Sequence, residues 1–599
     1  MPFRCARGGF RRGIPVVGVA LWSGVAIAAD TDVVYRPIVL SGQPVPGQPA
    51  SVVFNSFDVT NNSFSWDTGP AMNANGDLAF RAEFREGFML AGTGIIARLG
   101  STIQTVARDQ VVAPGTGVGY WSFLPPILNE NGHLAFKARL LSGPFVTDYG
   151  IWTTTSGALA LGAREGDPAP GTGADYGDLD PQVYSLYLNN NAHIAFDAAL
   201  AGTGVTATND HAIFSDNFGS IALLAREGEQ IPGRPAGVVH ADDGAFIEFG
   251  FNDPGDVVFV TRLSGPGITS TVSDSAIFHA GTAAESLLLQ ASEPLPGVLA
   301  PGVSRIIFSD VRIDTAGQAI FLASFREPPS NIVRVGVFAG SFTAGLRLLA
   351  ADGEPAPGTG TTYATQGAFS NLAMSDTGRI AFEARLANGD RAIFTDLSGS
   401  LTMLVRTGQH PPGTPAGSAF NFFQRATLNN QGRIALPAAV TIPGSPAANG
   451  VWMTDAGGAL HQIIRAGDTI DIDPDPATTD ARVVADFAFR STPASSGLSD
   501  SNEIAIGVRF RDPDTTGFLA TAVLVASLAT PCIADVDDGT GSGTPDAAVT
   551  IDDLLYYLTI FATGDIAADV DNGTGTATQD GAVTIDDLLY YIQRFQAGC

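Results

Sequence analysis

One nine-residue phrase recurs eight times between residues 72 and 506, and this repetition constrains the fold more than any other feature of the chain. Its copies, the hairpin phrases, are MNANGDLAF (72–80), LNENGHLAF (128–136), LNNNAHIAF (188–196), FNDPGDVVF (251–259), IDTAGQAIF (313–321), MSDTGRIAF (374–382), LNNQGRIAL (428–436) and LSDSNEIAI (498–506). Pro-Gly phrases such as REGDPAPGTG (164–173) and DGEPAPGTG (352–360) alternate with them. The spacing of roughly 55 to 70 residues is typical of propeller blades or solenoid units.

Each repeat has the pattern of about four antiparallel strands. Asn, Asp and Gly in the hairpin phrase favour a tight turn, because they tolerate positive φ and hydrogen-bond their own backbone. After the turn the apolar residues alternate, as in Leu134, Phe136 and Leu140, which is the period of a strand. A third strand (150–152) and a fourth (158–163) follow before the Pro-Gly phrase. Four antiparallel strands are the content of one β-propeller blade.

The two ends of the repeat region complement each other. Residues 33–47 look like the last strand of a unit with its Pro-Gly turn, whereas the eighth hairpin phrase is followed by a strand (517–528) but by no Pro-Gly phrase. Pairing of these segments would close a ring and remove the exposed sheet edge. The sequence therefore predicts an all-β propeller of eight four-stranded blades over residues 29–529. A seven-bladed ring with an extra hairpin is the alternative.

The first 28 residues have the pattern of an export signal. A basic segment with Arg4, Arg7 and the Arg11-Arg12 pair precedes an apolar run (14–22) and the small-x-small site 26–28. A twin-arginine signal and an uncleaved anchor helix remain alternatives. No other segment is apolar for long enough to cross a membrane. The net charge of −28 disfavours nucleic acids and anionic membranes as partners. We expect a protein that is secreted, extracellular or at the cell surface.

The last 68 residues (532–599) contain two copies of one acidic segment, 534–558 and 568–592, offset by 34 residues without a gap. Calcium takes six to eight oxygen ligands from a tight acidic loop, closed by a carboxylate at the start of a helix. Each copy offers this arrangement, and the sequence predicts about two calcium ions per chain. The candidate ligands are Asp535, Asp537, Asp546, Ala548, Thr550 and Asp553 in the first copy, and Asp569, Asp571, Asp580, Ala582, Thr584 and Asp587 in the second.

The doubled loop-helix pattern resembles a dockerin, the calcium-dependent module that docks into cohesin domains, and it is most similar to a bacterial variant whose copies end in Gly-Cys, as Gly598-Cys599 do here. One departure is that eight residues separate the second and third ligands in each copy, where a standard dockerin has one. The resemblance implies a cohesin-like or other cell-surface partner, contacted by Ile551 and Asp552 and by Ile585 and Asp586. Two equivalent faces would allow docking in two orientations, although the Tyr pairs 556–557 and 590–591 can instead pack between the helices.

Two cysteines remain after removal of the signal, Cys532 and Cys599. An even pair in an exported chain indicates one disulfide, which would staple a module with a small core. A free or intermolecularly bonded Cys599 is the alternative.

The repeats carry no recognised catalytic motif, and no catalytic residue is assigned. A recurring arginine (Arg108, Arg164, Arg226, Arg406 and Arg465) could line the channel and bind an anion, but an inter-blade ion pair or a hydrogen bond to the Pro-Gly turn is favoured. Trp121, Trp152 and Trp452 suit a sugar platform, yet they suit the blade core better, because the latter two align with Phe214, Phe278, Phe338 and Phe394.

Three functions are compatible with these features. The first is a non-catalytic propeller that binds a carbohydrate or protein and is attached through the C-terminal module. The second is a polysaccharide-degrading hydrolase or lyase, and the third is a purely structural surface protein. A cluster of non-repeating carboxylates at the mouth of the ring would favour the enzyme, but the sequence reveals no clear candidate.

Overall fold

The computed structural model describes a β-propeller (33–528) and a helical tail (533–597). Within residues 33–597 the structure does not describe 58–67, 142–147, 180–184, 242–245, 247–248, 271–272, 282–284, 292, 294, 296–303, 328–331, 343–344, 474–478, 493, 512–517, 529–532, 538, 544–548 and 576–578. The predicted signal segment, Cys532 and Cys599 therefore lie outside the described residues, and the disulfide stays a prediction.

The strands form eight antiparallel sheets of four to six strands, one for each hairpin phrase. The chain begins with β1 (Val33–Leu40). Blade 1 contains β2 (Val52–Ser56), β3 (Ala71–Met72), β4 (Leu78–Glu86), β5 (Met89–Leu99) and β6 (Thr102–Arg108). Blade 2 contains β7 (Tyr120–Phe123), β8 (Ile127–Leu128), β9 (Leu134–Leu140), β10 (Tyr149–Thr153) and β11 (Ala160–Arg164). Blade 3 contains β12 (Pro168–Ala169), β13 (Ala174–Tyr176), β14 (Leu186–Leu188), β15 (Ile194–Ala201), β16 (His211–Ser215) and β17 (Ala222–Arg226).

The next four blades repeat this order. Blade 4 contains β18 (Val239–His240), β19 (Phe249–Phe251), β20 (Val257–Ser264), β21 (Ser275–Ala280) and β22 (Ser286–Gln290). Blade 5 contains β23 (Ser304–Ile313), β24 (Gln318–Glu327), β25 (Ile332–Ser341) and β26 (Gly345–Ala351), and the small pair β27 (Pro355–Ala356) and β28 (Thr361–Thr362) follows it. Blade 6 contains β29 (Phe369–Met374), β30 (Ile380–Arg385), β31 (Arg391–Thr395) and β32 (Thr402–Arg406). Blade 7 contains β33 (Ala419–Phe423), β34 (Thr427–Leu428), β35 (Ile434–Ile442), β36 (Ser445–Thr454) and β37 (Leu460–Arg465).

Blade 8 closes the ring with a strand from each end of the propeller. It contains β38 (Thr469–Asp471), β39 (Ala481–Phe489), β42 (Glu503–Arg511) and β43 (Phe518–Leu528), with the small pair β40 (Ser491–Thr492) and β41 (Ser495–Ser496) between them. β1 pairs with β43 in antiparallel register, from Val33 opposite Leu528 to Leu40 opposite Ala522. Eight blades and their closure are thus confirmed, and the seven-bladed alternative is wrong.

The third strand of each blade carries a large side chain that fills the blade core, as predicted from the alignment of Trp152 and Trp452 with four phenylalanines. All six side chains are buried; Trp152 and the four phenylalanines stack on the phenylalanine of the hairpin phrase, whereas Trp452 packs edge-on against Phe420. Phe136 lies 6.2 Å from Trp152, and Phe196 lies 5.5 Å from Phe214, between ring centroids. Burial of such large apolar side chains is the main source of stability in the blades.

An asparagine in the hairpin phrase links neighbouring blades. In five phrases its side chain serves two purposes. Oδ1 accepts N–H groups of its own turn, and Nδ2 donates to the carbonyl of the equivalent residue in the next blade. We call these residues the asparagine belt: Asn73, Asn129, Asn189, Asn252 and Asn429. For Asn129, Oδ1 accepts the N–H of residues 131 and 133, and Nδ2 lies 2.8 Å from the carbonyl oxygen of Asn189. The belt explains why this position recurs.

Three of the five recurring arginines bind the preceding Pro-Gly phrase, which confirms the favoured interpretation for these three, whereas Arg465 pairs with the nearby Asp468. Arg226 donates to the carbonyl of Thr172 (2.7 Å), and Arg406 donates to that of Thr359, each in the preceding Pro-Gly phrase. Arg108 contacts Gln48 in the same way. Within its own blade, Arg164 forms a two-pronged ion pair with Asp148 at 2.6 and 3.0 Å.

The tail contains the two helices that the doubled pattern predicts, α1 (Ile551–Thr563) and α2 (Ile585–Ala597), with a 3₁₀ turn (Ile566–Ala568) between them. Tyr557 and Tyr591 are buried and stack at 3.6 Å between ring centroids. Tyr557 donates to the carbonyl of Ala568 and Tyr591 to that of Ala534. These two tyrosines therefore form the core of the module. Among the residues described, no helix is long and apolar enough to span a membrane.

Replacement of Asn129 by Ala removes two turn-capping bonds and one inter-blade bond. We expect a loss of roughly 1–3 kcal/mol in the free energy of unfolding. Asn129→Asp retains the capping oxygen and loses only the inter-blade donor, so its loss should be smaller than that of Asn129→Ala. Denaturant unfolding measures both, with Asn388→Ala as control, because Asn388 is exposed and its hydrogen bonds stay within its own turn. Equal stability of Asn129→Ala and wild type would show that the belt does not hold the blades.

Candidate functional site

The hairpin turns meet around the axis of the ring and line one mouth of its central channel. A cavity of about 230 Å³ lies there, and it is lined by residues of blades 2 to 8. Its polar lining includes Asn190, Asp253, Asp376, Asn430 and Asp500. Side chains from many blades thus converge on one opening, which is a common place for a ligand in a ring of this kind.

The residue after the belt position alternates between charged and uncharged around the ring. Blades 2, 4, 6 and 8 carry Glu130, Asp253, Asp376 and Asp500, which we call the carboxylate ring. The intervening blades 1, 3, 5 and 7 carry Ala74, Asn190, Thr315 and Asn430 at the same position. A carboxylate therefore stands in every second blade.

The intervening blades position these carboxylates by hydrogen bonds. The N–H of Ala74 donates to Glu130 Oε2 (2.7 Å). Asn190 donates through its backbone N–H and its side-chain amide to the two oxygens of Asp253, at 2.8 and 3.0 Å. Asn430 binds Asp500 in the same way, at 2.7 and 2.9 Å. The orientation of each carboxylate is therefore set by the turn of a neighbouring blade.

The carboxylates of the ring act on one another electrostatically. Burial raises the pKa of Glu130, and the charges of Asp500, Asp376 and Asp253 raise it further. Burial likewise raises the pKa of Asp376, with further contributions from Asp253 and Asp500. Such a ring attracts cations, because a bound positive charge relieves the mutual repulsion.

The spacing of the ring limits how a cation can be held. Within the part of the chain that the structure describes, no three of these carboxylates bring their oxygens within 4.8 Å of one another. A metal ion at this mouth would accordingly keep part of its water shell.

Sequence reasoning did not find the carboxylate ring. The signal is present at the second position of the hairpin turn, which reads Ala, Glu, Asn, Asp, Thr, Asp, Asn and Asp from the first phrase to the eighth. The alternation becomes meaningful only when the eight turns are known to surround one axis.

The predicted calcium ligands of the tail lie around two similar loops. Of the twelve, Asp546 and Ala548 lie outside the described residues. Six of the others are buried carboxylates: Asp535, Asp537, Asp553, Asp569, Asp571 and Asp587. Asp580 and Ala582 are exposed. In the second copy, where all four Asp residues are described, no three carboxylate oxygens lie within 4.8 Å of one another.

The closing carboxylate of each copy binds its own loop. Asp553 accepts N–H groups of Val536 (2.6 Å), Asp537 (2.9 Å) and Thr550 (2.7 Å). Asp587 accepts the equivalent groups of the second copy. Burial raises the pKa of these two carboxyl groups, but the accepted N–H bonds outweigh it and keep the pKa below its usual value. Thr550 caps α1 and donates to Asp553, as Thr584 does to Asp587.

The predicted docking positions are exposed. Ile551 and Ile585 are each 60% exposed, and Asp552 and Asp586 beside them are also exposed. Further along the helices, Leu555, Leu558 and Leu589 are exposed as well.

Trp121 does not lie in the blade core, although the sequence favoured that position for all three tryptophans. It is 58% exposed, whereas Trp152 and Trp452 are buried. A bulge between Tyr120 and Ser122 in β7 breaks the alternation of the strand, so Tyr120 and Phe123 both point into the blade core. Trp121 is left on the surface, at the end of the propeller opposite the hairpin turns.

Comparison with known protein families identifies the family of the repeat region. The sequence profile described as "Family of unknown function (DUF7453)" matches residues 22–271 and 182–526. The chain belongs to this family. The two matches overlap, as expected for a profile that reads repeated blades, and together they span the DUF7453 propeller. No curated protein sequence is similar to the chain at a significant level.

Solved structures resemble the DUF7453 propeller only distantly. Sqt1 of Saccharomyces cerevisiae is 11% identical over 78% of this chain and 98% of its own, with a TM-score of 0.33. A polysaccharide lyase of family PL25, an ulvan lyase, is 9% identical over 78% and 94%, with a TM-score of 0.28. The α-L-arabinofuranosidase Arb93A of Fusarium graminearum is 10% identical over 59% and 96%, with a TM-score of 0.28. Similarity at this level carries no information about the ligand.

Replacement of Asp376 by Asn tests the carboxylate ring of the DUF7453 propeller. The raised pKa values mean that the folded state holds these protons more tightly, so wild-type stability should fall as the pH rises from acidic to neutral in the presence of chelator. The substitution should make the stability depend less on pH. It should also reduce the stabilisation of the propeller by added Mg²⁺ or Ca²⁺. Thermal unfolding at several pH values, with Asp175→Asn as an exposed control, measures both effects. Identical curves for Asp376→Asn and wild type would refute electrostatic coupling in the ring.

Proposed function

We propose that this protein is an exported, non-catalytic binding protein, whose propeller binds a carbohydrate and whose tail attaches it to a cell-surface or extracellular partner. The attachment is dockerin-like and depends on calcium. The observation that carries this proposal is the duplicated apolar face of the tail, described next.

Each tail helix leaves the same two apolar side chains in solvent. Ile551 and Leu555 of α1 and their equivalents Ile585 and Leu589 of α2 are between 56 and 60% exposed. The core of the module does not use them, because Tyr557 and Tyr591 fill it. A repeated apolar patch on a small acidic module is typical of a protein-binding surface. Two equivalent faces support docking of a cohesin-like partner in either of two orientations.

The charge of the tail supports calcium as its cofactor. Residues 532–599 contain twelve Asp and a single basic residue, Arg594. Six of these carboxylates are buried. Buried like charges are unfavourable unless they are compensated by a cation or by hydrogen bonds. Oxygen-rich loops closed by Asp553 and Asp587 offer the donor set that Ca²⁺ prefers. The predicted Cys532–Cys599 disulfide would tie the ends of the module together.

Titration of the full-length protein with Ca²⁺ tests the cofactor. We expect about two sites per chain with the affinity of a structural calcium module, and we expect Asp553→Asn and Asp587→Asn each to remove one of them. Asparagine keeps the size and one accepting oxygen, so the helix cap is largely preserved. Asp552→Asn is the matched control on an exposed neighbour. The absence of both binding heat and calcium-dependent stabilisation of the tail would contradict the proposal.

Substitution of the duplicated face tests docking. Either Ile551→Asp or Ile585→Asp alone should leave capture of a partner from the source's secreted and cell-surface fraction intact, because the second face remains. The double substitution should abolish calcium-dependent capture. Circular dichroism of the variants controls for folding. If one substitution alone removed binding in a folded tail, the two faces would not be equivalent.

The propeller offers a surface suited to sugars around Trp121. Several exposed apolar side chains lie at the same end of blades 1 and 2, and we call them the apolar end face: Phe88, Met89, Leu90, Val111, Val112, Trp121 and Leu141. Strands β4 and β9 run from the hairpin turns to this end of the propeller. The last residues of both strands therefore lie near the Pro-Gly phrase (108–117) that connects blade 1 to blade 2. An exposed indole offers a flat apolar surface with a polar N–H, which matches the face of a pyranose ring. This arrangement supports a carbohydrate ligand.

A second candidate is polysaccharide cleavage at the carboxylate ring. The raised pKa of Glu130 and Asp376 favours a proton donor beside ionised carboxylates, and acid and base carboxyl groups are what hydrolysis of a glycosidic bond requires. This site lies at the opposite end of the propeller from Trp121.

Affinity electrophoresis and pull-down with cellulose, chitin and xylan separate these functions. We expect Trp121→Ala to weaken binding at least about tenfold, the effect of losing a central aromatic contact. The exposed Phe218→Ala, between β16 and β17 at the other end, is the matched control. Unchanged binding by Trp121→Ala would contradict the assignment of the face, and release of soluble oligosaccharides that Glu130→Gln abolishes would favour the enzyme.

A further inference from the structure

Blade 3 contains a cluster of Asp210, His211 and Glu227 that is separate from the channel and the tail. His211 begins β16, Asp210 precedes it, and Glu227 follows β17 on the neighbouring strand. The N–H of Glu227 donates to the carbonyl of His211 (3.0 Å), which fixes the two backbones side by side. His211 Nδ1 lies 3.2 Å from Asp210 Oδ1 and 3.4 Å from Glu227 Oε2. Among the described residues, this is the only group of three such side chains whose ligand atoms lie within 4.8 Å of one another.

Blades 2 and 5 show how a carboxylate at this position is compensated. Glu165 occupies the place of Glu227 in blade 2, and its Oε1 accepts the N–H of Leu179 (2.9 Å). Asp352 occupies it in blade 5 and accepts three backbone N–H groups, from residues 335, 367 and 368. In blades 2 and 5 a carboxylate at this position therefore accepts backbone N–H groups.

Glu227 lacks that compensation. Its side chain is 0% exposed, and neither of its oxygens accepts a hydrogen bond of normal geometry. The preceding Arg226 is directed to the carbonyls of Asn209 and Thr172, whereas Arg164 of blade 2 pairs with Asp148, the counterpart of Asp210. A buried carboxylate that accepts no hydrogen bond is costly, so a positive charge is needed close to it.

The imidazole of His211 alone cannot compensate both carboxylates. Nδ1 carries at most one proton, and both Asp210 and Glu227 face that single atom. One N–H can satisfy one of the two carboxylates, and the second remains uncompensated. A divalent cation in place of the proton would satisfy all three side chains at once.

The distances fit a transition metal. Zn²⁺ binds nitrogen and carboxylate oxygen at about 2.0–2.2 Å, which places neighbouring ligand atoms of a tetrahedral shell about 3.3–3.5 Å apart. The two separations from Nδ1 are close to this value. One imidazole with two carboxylates is a ligand set that Zn²⁺ accepts.

We propose that Asp210, His211 and Glu227 form a zinc site on blade 3, with one position left for a water molecule or for an oxygen of a ligand. Asp210 and His211 retain about a third of their side-chain surface in solvent, at 32 and 27%, so the open position faces outward. Glu227 supplies the buried ligand and His211 the nitrogen.

Calorimetric titration of the metal-free full-length protein with Zn²⁺, in excess Ca²⁺ to occupy the tail, tests the site. We expect one Zn²⁺ equivalent that His211→Gln and Glu227→Gln each weaken by more than about 100-fold, a larger loss than that of an outer-shell partner. Asp210→Asn provides a variant at a partly exposed position if the buried substitution impairs folding. The matched control is His193→Gln, because His193 also lies beside a carboxylate, Asp216 at 3.3 Å, but has no third ligand.

Co²⁺ substitution gives an independent readout. Wild type should show the visible absorption bands of a four-coordinate site, His193→Gln should retain them, and His211→Gln should lose them. If wild type bound no Zn²⁺, or if the three substitutions left an observed equivalent unchanged, the cluster would be an imidazolium–carboxylate ion pair and the proposal would be wrong.

Discussion

The antiparallel pairing of β1 with β43 is the contact on which the propeller depends. It joins segments almost 500 residues apart in sequence, from Val33 opposite Leu528 onward. The two sides of β1 contact different cores: Tyr35 packs with residues of blades 7 and 8, and Val39 packs with residues of blades 8 and 1. Without this strand, blade 8 would expose both an unpaired sheet edge and part of two apolar cores. Loop-closure entropy grows only slowly with loop length, so the ordered interface can offset it.

The ring divides its residues into those that repeat and those that vary. Positions that bear the contacts between blades, such as Asn129 and Arg226, recur because every interface has the same geometry. The next position along faces the axis and contacts mainly its counterparts in neighbouring turns, so it differs between blades. The carboxylate ring occupies this free position. Blade 3 shows the same freedom elsewhere, since Glu227 lies where carboxylates accept backbone N–H groups in blades 2 and 5.

Much of this architecture could be predicted from the sequence because it follows from local periodicity. The hairpin phrases fix the blades, and the alignment of Trp152 with Phe214 identifies the core positions. Trp121 could not be placed in this way, since the bulge beside it changes which side chains face inward and a bulge leaves little trace in a short strand. Glu130 and Asp500 are 370 positions apart in the sequence, and only the closed ring brings them to one mouth. In the tail, the sequence left open whether the tyrosines pack between the helices; in the structure Tyr557 and Tyr591 fill the core, whereas Leu555 and Leu589 lie in solvent.

The position of β43 determines how the molecule would bear a mechanical load. A protein held by its tail receives any pull through Leu528, the last residue of this strand. β43 is hydrogen-bonded along one side to β42 and along the other to β1. Tension directed along the strand would have to shear both ladders together, because neither side of the strand is free to peel first. The strand that closes the ring is thus also the strand best braced to transmit force between a tethered tail and a ligand held by the propeller.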